Sequence, residues 1–230
     1  MKKIIFISML AWLIQSCGEN SSKDNTATGN NSSGTTITKI VDLADTIQIG
    51  TQVWMQKNLE VTTFRNGEVI PQVADSAQWR NLTTPAWCYY NNDSSLGAVY
   101  GKLYNWYAVN DPRGLAPVGY HVPAFEDWKK LETFLGGDSI AGAAMKEVGY
   151  AHWGKPNSGA TNSSGFTALP GGFRYSTGAF MHFRVDGMWW SATEQDKINC
   201  WSRFLGCNTR AIYRDGNLKS NGFSVRCVKD

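Results

Sequence analysis

Ala124-Phe125-Glu126-Asp127-Trp128-Lys129-Lys130-Leu131-Glu132-Thr133-Phe134-Leu135-Gly136-Gly137 is the stretch that decides the fold. Trp128, Leu131 and Leu135 recur at helical spacing on one face, while Lys129, Lys130 and Glu132 point away from it. The glycine pair then stops the helix. A one-faced helix needs an apolar surface to lie on, and the flanking sequence offers strands. Upstream, residues 46–50 and 52–64 are rich in β-branched side chains around a turn at Gly50-Thr51. Downstream, strands are expected at 188–193, 201–205, 210–214 and 223–228, with Asp215-Gly216-Asn217 as the hairpin turn joining the last two. Tyr100 to Val109, with Leu103, Trp106 and Tyr107, predicts a short buried helix, and 140–148 a further helical segment. Helices between an opening strand pair and a terminal antiparallel set give an α+β class: two main helices packed on small antiparallel sheets with long loops. Residues 66–98 read as loop. Gly149 to Gly172 carries six glycines and two prolines, and a connection that long marks a functional loop.

The N-terminus carries an address. Lys2 and Lys3 precede an apolar stretch from Ile4 to Ile14 that ends in Gln15-Ser16-Cys17, the plan of an export signal too short to span a bilayer. Residues 1–16 are expected to be removed and Cys17 to carry lipid, so the membrane is a partner through that anchor. From Gly18 to Thr36 there is no large apolar residue, and a tether of roughly 20–25 Å is expected. Residues 37–230 then suffice for one domain.

The chain has net charge +3, and removing Lys2 and Lys3 leaves +1 without a basic cluster; no nucleic-acid partner is expected. Ten Trp, nine Tyr and ten Phe against 18% charged residues call for a loop-rich core or an aromatic recognition surface. Cys88, Cys200, Cys207 and Cys227 are disulfide candidates in an exported chain, with three possible pairings, or buried thiols. No Cys-x-x-Cys occurs, and His121, His152 and His182 lack ligand spacing, so no metal and no cofactor is expected.

Several blocks together resemble one family: Gly50-Thr51-Gln52-Val53-Trp54-Met55-Gln56-Lys57-Asn58-Leu59, Trp87-Cys88-Tyr89-Tyr90, Tyr100-Gly101-Lys102-Leu103-Tyr104-Asn105-Trp106, Gly119-Tyr120-His121-Val122-Pro123, Ala168-Leu169-Pro170-Gly171-Gly172, Trp189-Trp190-Ser191-Ala192-Thr193-Glu194 and Phe223-Ser224-Val225-Arg226-Cys227-Val228. In this order they resemble the Fibrobacter succinogenes major paralogous domain. The resemblance implies a secreted or surface lipoprotein with a C-type lectin-like fold, related to that of formylglycine-generating enzymes. It also implies a cysteine where this chain has Ala116, which leaves Cys227 without that partner. Gly18, following Cys17, favours the outer membrane or cell surface over inner-membrane retention.

The leading expectation is a non-catalytic binding module for an extracellular glycan or protein, with ligand-binding candidates Trp153, Asn157, Arg174, Tyr175 and Tyr213. Aromatic faces stack on sugars, and amide or guanidinium groups bond hydroxyls. Calcium would need more oxygen ligands than Asn91-Asn92-Asp93 offers. The alternative is a copper/cysteine oxidoreductase similar to formylglycine-generating enzymes, using Cys200 and Cys207, whose spacing departs from that family's pair. A third possibility is structural surface display without a small ligand. Of the carboxylates, Glu194 is the first to examine, with a structural role expected.

Overall fold

Two residues, Gly50 and Thr51, join strand β1 (Thr46–Ile49) to β2 (Gln52–Met55), and Gly50 takes φ +60°, the conformation tight hairpins reserve for glycine. The structure, a computed structural model, describes residues 45–230. The expected signal, Cys17 and the tether lie outside the described residues. The helices are α1 (Ser76–Arg80), α2 (Ser94–Tyr100), α3 (Trp106–Val109), α4 (Phe125–Phe134) and α5 (Asp138–Met145). The remaining strands are β3 (Trp87–Cys88), β4 (Leu103–Tyr104), β5 (Tyr120–His121), β6 (Phe173–Arg174), β7 (Phe180–Met181), β8 (Asp186–Glu194), β9 (Asn199–Gly206), β10 (Tyr213–Leu218) and β11 (Val228–Lys229). Helices on small antiparallel sheets confirm the α+β class.

One sheet runs β1-β2-β11-β5 and so brings the last residues of the chain against its first strands. A second runs β10-β9-β8, and two further pairs, β3-β4 and β6-β7, brace the loops. Helix α4 starts where the Asp127 carboxylate accepts from the Ala124 N–H at 2.8 Å and ends where Gly137 N–H bonds the Glu132 carbonyl at 2.8 Å. Its inner face, Trp128 and Leu131, is fully buried.

Trp189 and Trp190 leave β8 on opposite faces, yet both are fully buried. Trp189 packs with Trp54, Trp128 and Phe166 in one core cluster, and Trp190 with Trp106, Tyr104 and Phe223 in another. Strand β8 is therefore covered on both sides. A buried Trp hides about 150–250 Å², roughly 4–6 kcal/mol of gross transfer free energy before ordering entropy, which makes these two layers the main stabilising mass.

Several local expectations change. Residues 100–109 split into the end of α2, strand β4 and α3. Asp215-Gly216-Asn217 is not a turn: these residues pair with Ser202, Trp201 and Cys200 in mid-strand. A Cβ at Gly216 would lie 1.5 Å from Oε1 of the exposed Gln195 side chain, which could swing aside. Of residues 223–228 only Val228 belongs to a strand; Phe223 and Ser224 make isolated bridges to Tyr104 and Trp189.

Candidate functional site

The motif blocks converge inside the molecule. Asn58 Oδ1 accepts from Trp189 Nε1 at 2.8 Å and from Arg226 Nε and Nη2 at 3.1 and 3.0 Å, while Asn58 Nδ2 donates to the Tyr100 carbonyl at 2.8 Å. Arg226 Nη1 donates to the carbonyls of Met55 (3.1 Å) and Phe166 (2.7 Å), and its guanidinium lies 4.3 Å from the Phe166 ring centroid. Burial pushes the Arg226 pKa down, but four acceptor contacts keep the cation satisfied. Four of the quoted segments, joined by Phe166, thus meet in one buried structural hub.

The same device holds the long connection after α5. Lys146, fully buried, donates to the carbonyls of Ser158 (3.0 Å), Gly206 (3.1 Å) and Thr209 (2.6 Å). Burial lowers its pKa to about 8, which leaves the ammonium protonated at neutral pH. Arg174 donates to Gly178 (3.0 Å), Val73 (2.7 Å) and Ala74 (2.8 Å) and sits between the Trp79 and Phe180 rings. These cations satisfy carbonyls of the irregular segments and tie them to the end of β9.

This places the sequence-derived candidates. Trp153 is fully buried, its Nε1 donating to the Ala168 carbonyl at 2.9 Å. Asn157 is buried and pins the carbonyls of Glu147 and Gly149 at 2.9 and 2.8 Å. Arg174 is one of the backbone clamps just described. These three are held inside, where the loop needs donors. Tyr175 and Tyr213 are exposed, Tyr175 on the β6–β7 turn and Tyr213 on β10 beside Phe204. The five do not form one cluster.

The surface those clamps support is carried by residues 147–156 and 182–186. Gly154 N–H bonds the Arg184 carbonyl at 2.6 Å and Arg184 Nη2 bonds the Tyr150 carbonyl at 3.0 Å, which ties the two segments together. Phe183 stacks on Tyr90 (4.8 Å) and meets Tyr100 edge-on (5.1 Å), and Tyr100 in turn meets His152 at 5.7 Å. His152 Nδ1 faces the Glu147 carboxylate at 2.8 Å, and His182 Nδ1 faces Asp186. Burial raises the Tyr100 pKa, with Arg184 opposing. His182 and Arg184 both take left-handed backbone, φ +63° and +64°; for side chains of that size this costs on the order of 1 kcal/mol each. Sequence reasoning missed this face because its members come from four separated segments.

Other groups have structural employment. Asp93 caps α2 through Ser95 N–H (2.9 Å), and Glu194 pairs with Lys219 at 2.6 Å on the surface. A shallow groove of about 1030 Å³ between Gly50 and α4 is lined by solvent-facing Glu126, Lys129, Lys130 and Phe134. No group of three or more metal-ligating side chains occurs among the described residues. The expected disulfides are not formed: Cys88, Cys200, Cys207 and Cys227 are free and buried. They are spread over all three core clusters, Cys88 under α1, Cys200 and Cys227 beside Trp190, and Cys207 beside Trp153.

Burial pushes the thiols of Cys88, Cys200 and Cys227 up to about 12, the opposite of what a nucleophile or copper ligand requires. At pH 8 the folded protein then holds roughly a thousandfold less thiolate at each than an ordinary cysteine does. Native protein is expected to leave these three unlabelled by a thiol reagent over minutes and to release them all in guanidinium; fast native labelling at Cys200 would refute the assignment. Folded pKa values raised above the unfolded ones also mean that stability from these groups is full below about pH 9 and is lost as pH rises through about 12.

With this geometry in place, the comparisons are brief. The family model described as the Fibrobacter succinogenes major domain matches residues 47–229. Neither the curated proteins nor the solved structures contain a match.

Proposed function

From the premise that the chain belongs to the Fibrobacter succinogenes major domain family, we propose that it is an exported, non-catalytic recognition module, lipid-anchored at Cys17 in the cell envelope. The C-type lectin-like relationship belongs to the same proposal: a braced scaffold carrying irregular loops that meet a glycan or protein ligand. One observation carries the reading. The motif residues Asn58, Trp189 and Arg226 build a buried hub, so these blocks secure the scaffold and leave the irregular loops as the surface free to meet a ligand.

Two measurements test this. Mass spectrometry of the mature N-terminus is expected to find acylated Cys17, and Cys17→Ala to release the chain from the membrane fraction; an unlipidated Cys17 would remove the anchor from the reading. For recognition, the full chain is screened on glycan and surface-protein arrays with and without calcium, beside Tyr150→Ala/Tyr175→Ala. Both tyrosines are about half exposed, so this variant should fold normally and lose at least tenfold in binding. Trp153→Ala is unsuitable as a control because it opens a core cavity. Binding that survives the tyrosine variant would move recognition off this face.

A further inference from the structure

His182 and Arg184 occupy left-handed positions on either side of Phe183, where glycine would be cheaper. Backbone of this kind gathers at binding and catalytic sites. Both are exposed. Arg184 has no carboxylate among the described residues; its Nη2 goes to the Tyr150 carbonyl. Lys155, also exposed, lies 5.5 Å from the Tyr150 ring centroid and likewise has no carboxylate among the described residues. The nearby carboxylates Glu147 and Asp186 are largely buried and hydrogen-bond His152 and His182 rather than either cation. Two exposed cations without an ion-pair partner among the described residues thus lie beside a half-exposed tyrosine on backbone tied by the Gly154–Arg184 bond and the Lys146 and Asn157 clamps.

Resting on the recognition reading above, we propose that residues 150–155 and 182–184 bind an acidic polysaccharide, with Arg184 and Lys155 pairing a uronate carboxylate and the Tyr150 ring lying against the sugar's C–H face. A guanidinium takes a carboxylate in fork geometry, and an ammonium adds a point charge. A phenol ring supplies flat apolar surface at low entropic cost. An acidic peptide is a poorer fit. It offers carboxylates to the cations but no flat C–H face to lie on the Tyr150 ring.

The test is biolayer interferometry of the full chain against immobilised polygalacturonate and a neutral galactan of matched length. Polygalacturonate should bind, the galactan at least tenfold more weakly, and the bound fraction should fall as salt is raised from 50 to 300 mM, in line with a screening length of about 10 Å at 0.1 M. Arg184→Gln, Lys155→Gln and Tyr150→Phe/Arg184→Gln are expected to weaken binding about tenfold or more each, and Lys129→Gln on α4 to leave it unchanged. Melting curves matched to wild type confirm that each variant is folded. Equal binding of both polymers, or polygalacturonate binding indifferent to Arg184 and Lys155, would overturn the acidic-sugar assignment while leaving a recognition module. Failure to bind either polymer overturns the assignment too. The array screen with the tyrosine variant then decides separately whether the recognition reading survives.

Discussion

Replacing Glu132 with Ala is expected to destabilise the domain by about 3–5 kcal/mol, the usual consequence of leaving a buried charge without its partner. Glu132 on α4 meets Arg203 on β9, and both side chains are essentially inaccessible. Arg203 has little else: Nη1 reaches the Ser202 carbonyl at 3.3 Å, Nη2 has no partner, and the guanidinium lies 4.9 Å from the Phe125 ring centroid. Burial raises the Glu132 pKa and lowers that of Arg203, in each case outweighing the attraction between them. Both directions say that the pair is tolerated rather than profitable. The double variant Glu132→Leu/Arg203→Met should therefore recover most of the loss and can exceed wild type. Guanidinium unfolding of the two single variants and the double closes the cycle; a Glu132→Ala cost below about 1 kcal/mol would show that water reaches Arg203. Because Glu132 holds its proton more tightly when folded, its contribution favours the fold below the ordinary glutamate range and is lost as pH rises through the raised value.

How much of this was legible in the sequence follows from where the information lies. Helix α4 was readable because its apolar spacing and the Gly136-Gly137 stop are local signals, except that Glu132, expected to point away from the core, is buried against Arg203 from a distant strand. The β1–β2 hairpin and β8 were readable for the same reason, and the long 149–172 connection does run without a helix or strand. The buried cations were not. Lys and Arg are normally surface residues, and the partners of Lys146, Arg174 and Arg226 are backbone carbonyls from distant segments, which no side-chain motif records. Arg174 therefore read as a ligand group when it is a clamp. Gly216 read as a turn because glycine next to Asp and Asn usually is one; that residues 215–217 pair with 200–202 in mid-strand is a tertiary fact. Of the face proposed for recognition, only the suspect loop was visible. Its other half, Tyr90, Tyr100 and Phe183, joins through folding.

Arg226 should prove the most expensive single side chain to replace. Arg226→Met removes donors to Asn58 Oδ1, Met55 O and Phe166 O at once. All of this lies in a region closed to water, so each acceptor left unpaired costs about 1–3 kcal/mol. Asn58 Oδ1 keeps Trp189 Nε1, so the Met55 and Phe166 carbonyls are the acceptors that lose a donor, for a total of about 2–6 kcal/mol. For a domain of this size the midpoint of thermal unfolding would fall by roughly 5–20 °C. Arg226→Lys should rescue little, because one ammonium on a flexible stem cannot reproduce a planar fork that serves a side-chain amide and two carbonyls together. Asn58→Ala should cost less, since it leaves Arg226 two carbonyls, and the Asn58→Ala/Arg226→Met pair should show a coupling of at least about 1 kcal/mol. If Arg226→Lys melts within a few degrees of wild type, the hub needs only a positive charge, and the argument that the shared motifs encode its geometry fails. If it melts with Arg226→Met, Asn58, Trp189 and Arg226 act as a single structural unit whose planar fork, not its charge, holds the hub together.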